Sequence, residues 1–194
     1  METENKDKAF PEVLYDLKKN GMDVLQAVIR QCGRDELEDI IRLQGAVHDA
    51  VADKDTFVFS TEDELAESLD TDVCIGAYLD GRLIAFTLIV TNPCSPRNLG
   101  YYLDYSRERC QKCVTYDTTF VHPSYTGYGL QRAFLSIKEA IAIDLGAWEA
   151  LATVSPDNAV SLRNLRAGGF EIAGEKSMYG ERRRYIMRKS LIKD

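Results

Sequence analysis

The chain has 194 residues, 45% hydrophobic and 28% charged, a balance that suits one globular domain with a real core rather than a disordered chain. Its 31 acidic and 24 basic side chains leave a formal charge of -7, which argues against general nucleic-acid binding, because phosphate backbones demand clustered Lys and Arg. Residues 1–8 are charged and polar rather than the apolar core of a signal peptide, and the densest apolar run, Leu83 to Val90, is too short to span a bilayer. A cytoplasmic protein with no membrane partner is expected, and five scattered cysteines, an odd number, are expected to be reduced thiols.

Pro11 to Lys19 reads as a short charged helix stopped by Asn20-Gly21, an N-terminal helical extension over residues 1–21 ahead of a domain over 22–194. Val24 to Cys32 is strand-compatible, and Asp35 to Val51 spaces Leu37, Ile40, Ile41, Leu43, Ala46 and Val47 as a helix. A second helix opens at Ser60, which would cap it with Asp63 answering from the third position. Val73 to Leu79 and Arg82 to Thr91 form a hairpin about Asp80-Gly81. Asn92 to Arg109, broken by Pro93 and Pro96, reads as a long loop or short helical insertion of the kind that shapes substrate sites.

Cys113 to Val121 resumes a strand, stopped by His122-Pro123 because Pro cannot donate to a ladder. After the turn Ser124-Tyr125-Thr126-Gly127-Tyr128-Gly129, the positions Leu130, Ala133, Phe134, Ile137, Ile141 and Leu145 mark one helical face ending at Gly146. A strand at Ala150 to Val154 and a helix at Pro156 to Ala167 follow. Strands over Phe170 to Met178 and Arg184 to Arg188 then flank Tyr179-Gly180. The order is that of a mixed α/β sheet domain.

A strand that turns through two glycines into a helix exposes backbone amides at the positive end of the helix dipole, an anion site if it is more than a tight turn. A P-loop would need Gly-Lys-Ser or Gly-Lys-Thr and a Rossmann site a third glycine, whereas Gly129 is followed by Leu130-Gln131-Arg132. From about Val24 to Leu191 the order resembles the GNAT superfamily of acyl-CoA-dependent N-acetyltransferases. The resemblance rests on Val121 to Gln131, like that family's pyrophosphate loop. It rests also on Ser155-Pro156-Asp157-Asn158 with Ser161, Asn164 and Gly168-Gly169-Phe170, like its later helix motif.

The resemblance implies a mostly antiparallel sheet flanked by helices, with splayed central strands carrying Phe120 and Val154 and a CoA cleft between them. It implies acetyl-CoA as co-substrate and no metal, with pyrophosphate on the amides of Thr126, Gly127, Tyr128, Gly129 and Leu130. Asn158, with Ser161 and Asn164 nearby, would meet the pantetheine arm, and the backbone N–H of Val121 would polarise the thioester carbonyl. The acceptor implied is a small-molecule, amino-acid or peptide amine, and a homodimer is compatible with it. A CoA-binding regulatory module and an aminoacyl transferase on the same fold are the alternatives. Ser124 stands where the family often has Gln or Arg, and Leu165 where many relatives carry a tyrosine that protonates the CoA thiolate.

An amine with pKa near about 10.4 must lose a proton before it attacks, so a base or water chain is needed. Asp117 is the candidate, or else a solvated or edge-strand acid; Tyr179, Ser161 and Tyr116 are candidate donors to the thiolate, which can also leave with no donor, and the two tyrosines are otherwise core or cross-strand packing residues. Asn158 is otherwise readable as a helix cap alone. Cys110 and Cys113 have redox or zinc spacing, but no second pair completes a metal site. His48 falls on an expected helix and His122 just before Pro123, where it could touch substrate or else is inert beside the turn, and Arg182-Arg183-Arg184 reads as the solvated face of a terminal hairpin rather than a phosphate site.

Overall fold

A computed structural model describes residues 10–19 and 24–192. The local turn chemistry builds the centre of the sheet: β3 (Val73–Leu79) and β4 (Arg82–Val90) pair through Asp80 and Gly81, both left-handed at φ 50° and 77°. Positive φ at both positions matches the right-handed twist of the flanking strands. On one side, β2 (Leu25–Gln31) pairs with β3, and β1 (Val13–Leu17) pairs with β2, both antiparallel. β5 (Cys113–Val121) pairs antiparallel with β4, then parallel with β6 (Glu149–Val154). β8 (Arg182–Ser190) lies antiparallel to β6, with β7 (Glu171–Met178) at the edge, giving the order β1-β2-β3-β4-β5-β6-β8-β7.

The helix expected over Pro11 to Lys19 is instead strand β1. Its side chains alternate: Tyr15 and Leu17 pack into the core with Ala27, Ile29 and Phe134, while Leu14 stays exposed. A lone helix as short as Pro11 to Lys19 is marginal, whereas pairing with β2 gives the segment a full ladder and buries Tyr15 and Leu17. The stop at Asn20-Gly21 falls outside the described residues.

Helices cover both faces. On one, α1 (Leu37–Ala50) and α2 (Glu62–Thr71) bury Ile40, Leu43 and Leu65 against Phe86, Leu88 and Phe120. α3 (Arg107–Cys110) closes the insertion that follows β4. On the other, α4 (Leu130–Asp144) and α5 (Ala159–Ala167) bury Leu130, Phe134, Ala142 and Leu165. Each Leu, Ile or Phe among them contributes roughly 1.5–3 kcal/mol when fully removed from water.

The cap of α2 is shifted by one residue from the expected Ser60 and Asp63. Thr61 accepts from the Glu64 amide at 3.2 Å, and Glu64 accepts from the Thr61 amide at 2.7 Å. Ser60 is held outside the helix by the Gln44 side chain, which bonds both its N–H and its carbonyl. That contact fixes the segment 56–60 beside the sheet.

Two features open the sheet. The β4–β5 register slips between Thr87 opposite Thr119 and Ile89 opposite Tyr116, so β5 carries a bulge at Asp117-Thr118. β5 and β6 pair only through Cys113–Tyr116 and Glu149–Ala152. Beyond Tyr116, β5 stays with β4, while Thr153 and Val154 stay with β8, so the two strands part.

Candidate functional site

Where β5 and β6 diverge, a cavity of about 350 Å³ passes between the two faces of the sheet. Its walls include Phe57, Arg97, Asp117, Phe120, Tyr179 and Arg184 on the α1/α2 side, and Gln131, Lys138, Asn158, Ser161, Asn164 and Leu165 on the α4/α5 side. This is the volume of a small-ligand pocket, and it is reached from elements far apart in sequence.

On the α1/α2 side the bulge turns Asp117 toward the insertion. Arg97 donates to Asp117 at 3.2 Å, to the buried Asp72 at 2.9 Å and to Ser68 Oγ at 2.7 Å. Burial raises the pKa of Asp117, and the Arg97 and Lys138 cations oppose that rise. Tyr179 sits in the β7–β8 turn at φ 53°, its ring 5.7 Å from the Arg184 guanidinium carbon. Burial raises its phenol pKa, as does the negative charge of Asp117, while Arg184 draws it down. Phe57 stacks on Phe120 with centroids 5.6 Å apart, closing this wall with aromatic surface.

On the α4 side stands Lys138, only 1% exposed, between Phe134 and Ala142 in the buried stripe of α4. Its Nζ donates to Thr119 Oγ1 at 3.3 Å and to the Thr118 carbonyl of the bulge at 3.5 Å, and lies 5.3 Å from the Tyr116 ring centroid. Desolvation pulls its pKa down to about 7, against the attraction of Asp117. Tyr116 packs on Phe170, and its hydroxyl is buried with no hydrogen-bond partner among the described residues. Burial raises that phenol's pKa. Leu165 packs in the same cluster. Asn158 caps α5, its side chain accepting from the Ser161 amide at 3.0 Å, and Asn164 donates to Gln131.

The turn after β5 holds Gly127 at φ 86° and Gly129 at φ 82°, and Gly129 starts α4 with no side-chain cap. Both angles lie in the left-handed region that glycine occupies without a Cβ penalty. His122 N–H donates to Ile84 in β4 at 2.9 Å. Alternation along the strand therefore turns the N–H and carbonyl of Val121 toward the edge that β6 has left. Thr126 to Leu130 and Val121 do not line the cavity, and the Tyr128 and Leu130 side chains are buried in the core beneath the turn. β1 also reaches this turn: Lys19 Nζ bonds the Thr126 carbonyl at 3.3 Å, and a Cβ on Gly129 would lie 3.0 Å from Tyr15 Oη.

Of the residues singled out from sequence, Asp117, Phe120, Asn158, Ser161, Asn164 and Tyr179 meet in the cavity wall. The pattern missed Arg97, Lys138 and Arg184. The reading of Arg182 to Arg184 as a solvated face is corrected at Arg184, which is 5% exposed and lines the cavity. Arg182 bonds the Phe57 carbonyl at 2.5 Å, and Arg183 pairs with Glu175 on the surface. Cys110 and Cys113 are free of any disulfide, and burial raises the pKa values of their thiols, that of Cys113 to about 12, which disfavours the thiolate needed for redox exchange or metal ligation. His48 packs on Phe57 and Phe59, and His122 Nδ1 accepts from the Ser124 amide at 3.2 Å. Among the described residues no cluster of three His, Cys, Asp or Glu is placed to hold a metal, and no helix is long and apolar enough to cross a membrane.

No protein-family model matches the sequence, and none of the curated proteins matches it. Solved structures do match. The acetyltransferase of GNAT family from Streptococcus pneumoniae superposes with TM-score 0.63 at 19% identity, over 84% of this chain and 98% of that one. The ribosomal-protein-S18-alanine N-acetyltransferase from Escherichia coli gives TM-score 0.66 at 18% identity over 87% and 96%. An N-acetyltransferase from Thermoplasma acidophilum, solved in complex with coenzyme A, gives 0.61 at 17% over 84% and 98%. The fold is that of the GNAT N-acetyltransferases.

Proposed function

We propose that the protein transfers an acetyl group from acetyl-CoA to a primary amine within a ternary complex. The observation that carries this is the cavity at the divergence of β5 and β6, with a fold shared by acetyltransferases around it. The outward N–H and carbonyl of Val121 offer a strand-like edge to a pantetheine arm. The turn amides from Thr126 to Leu130, at the start of α4, suit a pyrophosphate. Asn158 is engaged as a helix cap, so its contribution to the cofactor is to fix the start of α5, and Ser161 and Asn164 present polar atoms beside it.

The two faces divide the chemistry. The amine enters on the α1/α2 side, where Asp117 accepts its proton directly or through water, held in place by Arg97, and where the Tyr179 hydroxyl helps to seat it. The Val121 N–H steadies the developing oxyanion. As the amine nitrogen bonds the acetyl carbon, the C–S bond breaks and its electron pair stays on sulfur. On the α4 side Lys138 stands ready to deliver a proton to that sulfur and recover one from solvent, with Tyr116 beside it. This places an acid in the region where Leu165 leaves no hydroxyl.

Calorimetric titration with acetyl-CoA, followed by release of free thiol against a panel of primary amines, tests the reading. Saturable binding and amine-dependent release are expected. Saturable binding without release from any amine replaces the enzyme with a CoA-binding regulatory module, the reading that Leu165 favours. Failure to bind acetyl-CoA removes both and leaves an aminoacyl transferase on this fold.

A further inference from the structure

We infer that the acceptor amine carries a carboxylate and that Arg184 binds it. This rests on the transferase reading above and adds the class of acceptor. Three arginines stand in a row on β8, and their partners differ. Arg182 has Asp55 at 3.7 Å and Arg183 has Glu175, yet both lie nearer to solvent than Arg184. Arg184, the buried one, has no carboxylate partner among the described residues. Its two terminal nitrogens donate to the Thr56 and Asp55 carbonyls at 3.3 Å, and its Nε–H is buried with no acceptor.

Backbone carbonyls satisfy hydrogen bonds but carry no net charge, so a guanidinium desolvated in this way keeps an unneutralised charge at the cavity wall. Desolvation accordingly lowers the Arg184 pKa. A planar carboxylate that takes the Nε edge would supply both the missing acceptor and the missing charge. Tyr179, whose ring stands 5.7 Å from the guanidinium carbon, is 43% exposed and sits in a turn, and in this proposal the turn residue moves to admit the carboxylate.

The surroundings match the other end of such a molecule. Asp117, Tyr179 and Arg184 line one cavity, with the Tyr179 ring 5.7 Å from the Arg184 guanidinium carbon, so an acid and a cation face the same space. An ammonium directed to Asp117 and a carboxylate directed to Arg184 describe an amino acid or the corresponding end of a short peptide. The cavity of about 350 Å³ has room for one of that size. A clamp tying residues 55–57 to β8 accounts for the two carbonyl contacts of Arg184. It does not account for the buried Nε–H, and Arg182 already ties the same segment through the Phe57 carbonyl.

The test uses matched trios built on leucine, phenylalanine and methionine: the L-amino acid, its amide and the decarboxylated amine. For at least one trio, kcat/KM for the acid is expected to exceed that for the decarboxylated amine by about tenfold or more. In Arg184→Met that ratio should collapse toward one, and in Arg184→Lys, which keeps the charge and loses the fork, it should be intermediate; circular dichroism verifies that each variant is folded. Ratios near one in the wild type overturn the proposal, as does a folded Arg184→Met that slows acid and amine by the same factor, the signature of a clamp. A second arm needs no turnover: calorimetry of the CoA-loaded protein with the N-acetyl derivatives of the three amino acids and of their decarboxylated amines. Acid-selective binding that Arg184→Met removes upholds the carboxylate site even if no amine is acetylated, which would sink the transferase reading alone. Where no amine is acetylated, absence of acid-selective binding sinks the carboxylate site as well.

Discussion

Lys19 Nζ donates to the Thr126 carbonyl at 3.3 Å, so the end of β1 brings a cation onto the glycine turn that starts α4. The same ammonium stands 3.7 Å from where a Cβ on Gly127 would lie, and 5.3 Å from the Tyr128 ring centroid. An exposed ion pair here would contribute up to about 1 kcal/mol and weaken with salt. Lys19→Met should therefore lower acetyl-CoA affinity by about three- to fivefold at low salt, and less at high salt. Titration of both proteins at two ionic strengths checks it, and an unchanged affinity at low salt removes Lys19 from the site.

Gly127→Val acts on the same turn by a different route. At φ 86° a β-branched side chain is strained, although its Cβ meets nothing nearer than Lys19 Cε at 3.5 Å. The strain costs on the order of 1–3 kcal/mol, which a folded domain survives, while the amides move out of register for a diphosphate. Acetyl-CoA affinity should fall tenfold or more with circular dichroism unchanged. Wild-type affinity would dismiss the pyrophosphate assignment.

These two positions also mark what could be read from the chain. Gly127 and Gly129 announce themselves because strand, turn and helix are contiguous, and the hairpin at Asp80-Gly81 is legible for the same reason. β1 is not, since five residues with two inward side chains resemble a charged helix until β2 supplies the partner. Arg97, Lys138 and Arg184 lie on three separate elements, and each looks like solvated charge in the linear sequence. Only Lys138 left a local sign: Leu130, Phe134, Lys138 and Ala142 recur at i, i+4 spacing, so the lysine occupies a core position of its helix. The divergence of β5 from β6 has no local sign, because it is a property of where pairing stops.

Asp117 and Arg97 should be separable by pH. Burial raises the Asp117 pKa and Arg97 holds it down, so removing the cation must raise it further. If Asp117 takes the proton, it works only when ionised, and kcat/KM climbs as pH rises through its pKa. Arg97→Gln should move that acidic limb to higher pH, and Asp117→Asn should abolish it. A limb that stays in place in both variants assigns proton removal to another group.

Away from the cavity, Glu36 anchors the start of α1. Tyr78 Oη donates to it at 2.7 Å, the Gly33 amide at 2.5 Å, and Arg30 pairs with it at 2.5 Å. Burial opposes its charge, but the bonds from Tyr78, Gly33 and Arg30 outweigh burial and hold its pKa below 4.5. Because the folded value is the lower one, this stability is present above the unfolded pKa and is lost as pH falls through the folded pKa. Glu36→Gln should cost about 1–3 kcal/mol at neutral pH in urea unfolding, and the difference from wild type should shrink below pH 4.5. A gap that stays constant into acid would show that the carboxylate charge does not matter there.

Lys138 has the opposite sign. Its folded pKa, about 7, lies below the unfolded 10.5, so above pH 7 the unfolded chain binds the extra proton. Stability should rise with pH between those values, and the cost of the buried ammonium is fully present below 7. Lys138→Met keeps an unbranched apolar stem, removes the charge and should raise the melting temperature most at acidic to neutral pH. If Lys138 also returns a proton to sulfur, the same change should lower kcat and erase an alkaline limb near pH 7, where the donor would lose its proton. Greater stability with impaired turnover is the signature expected of a side chain held at a site for chemistry rather than for packing. Greater stability with wild-type kcat at every pH would strip Lys138 of its role, leaving the thiolate to Tyr116 or to no acid at all.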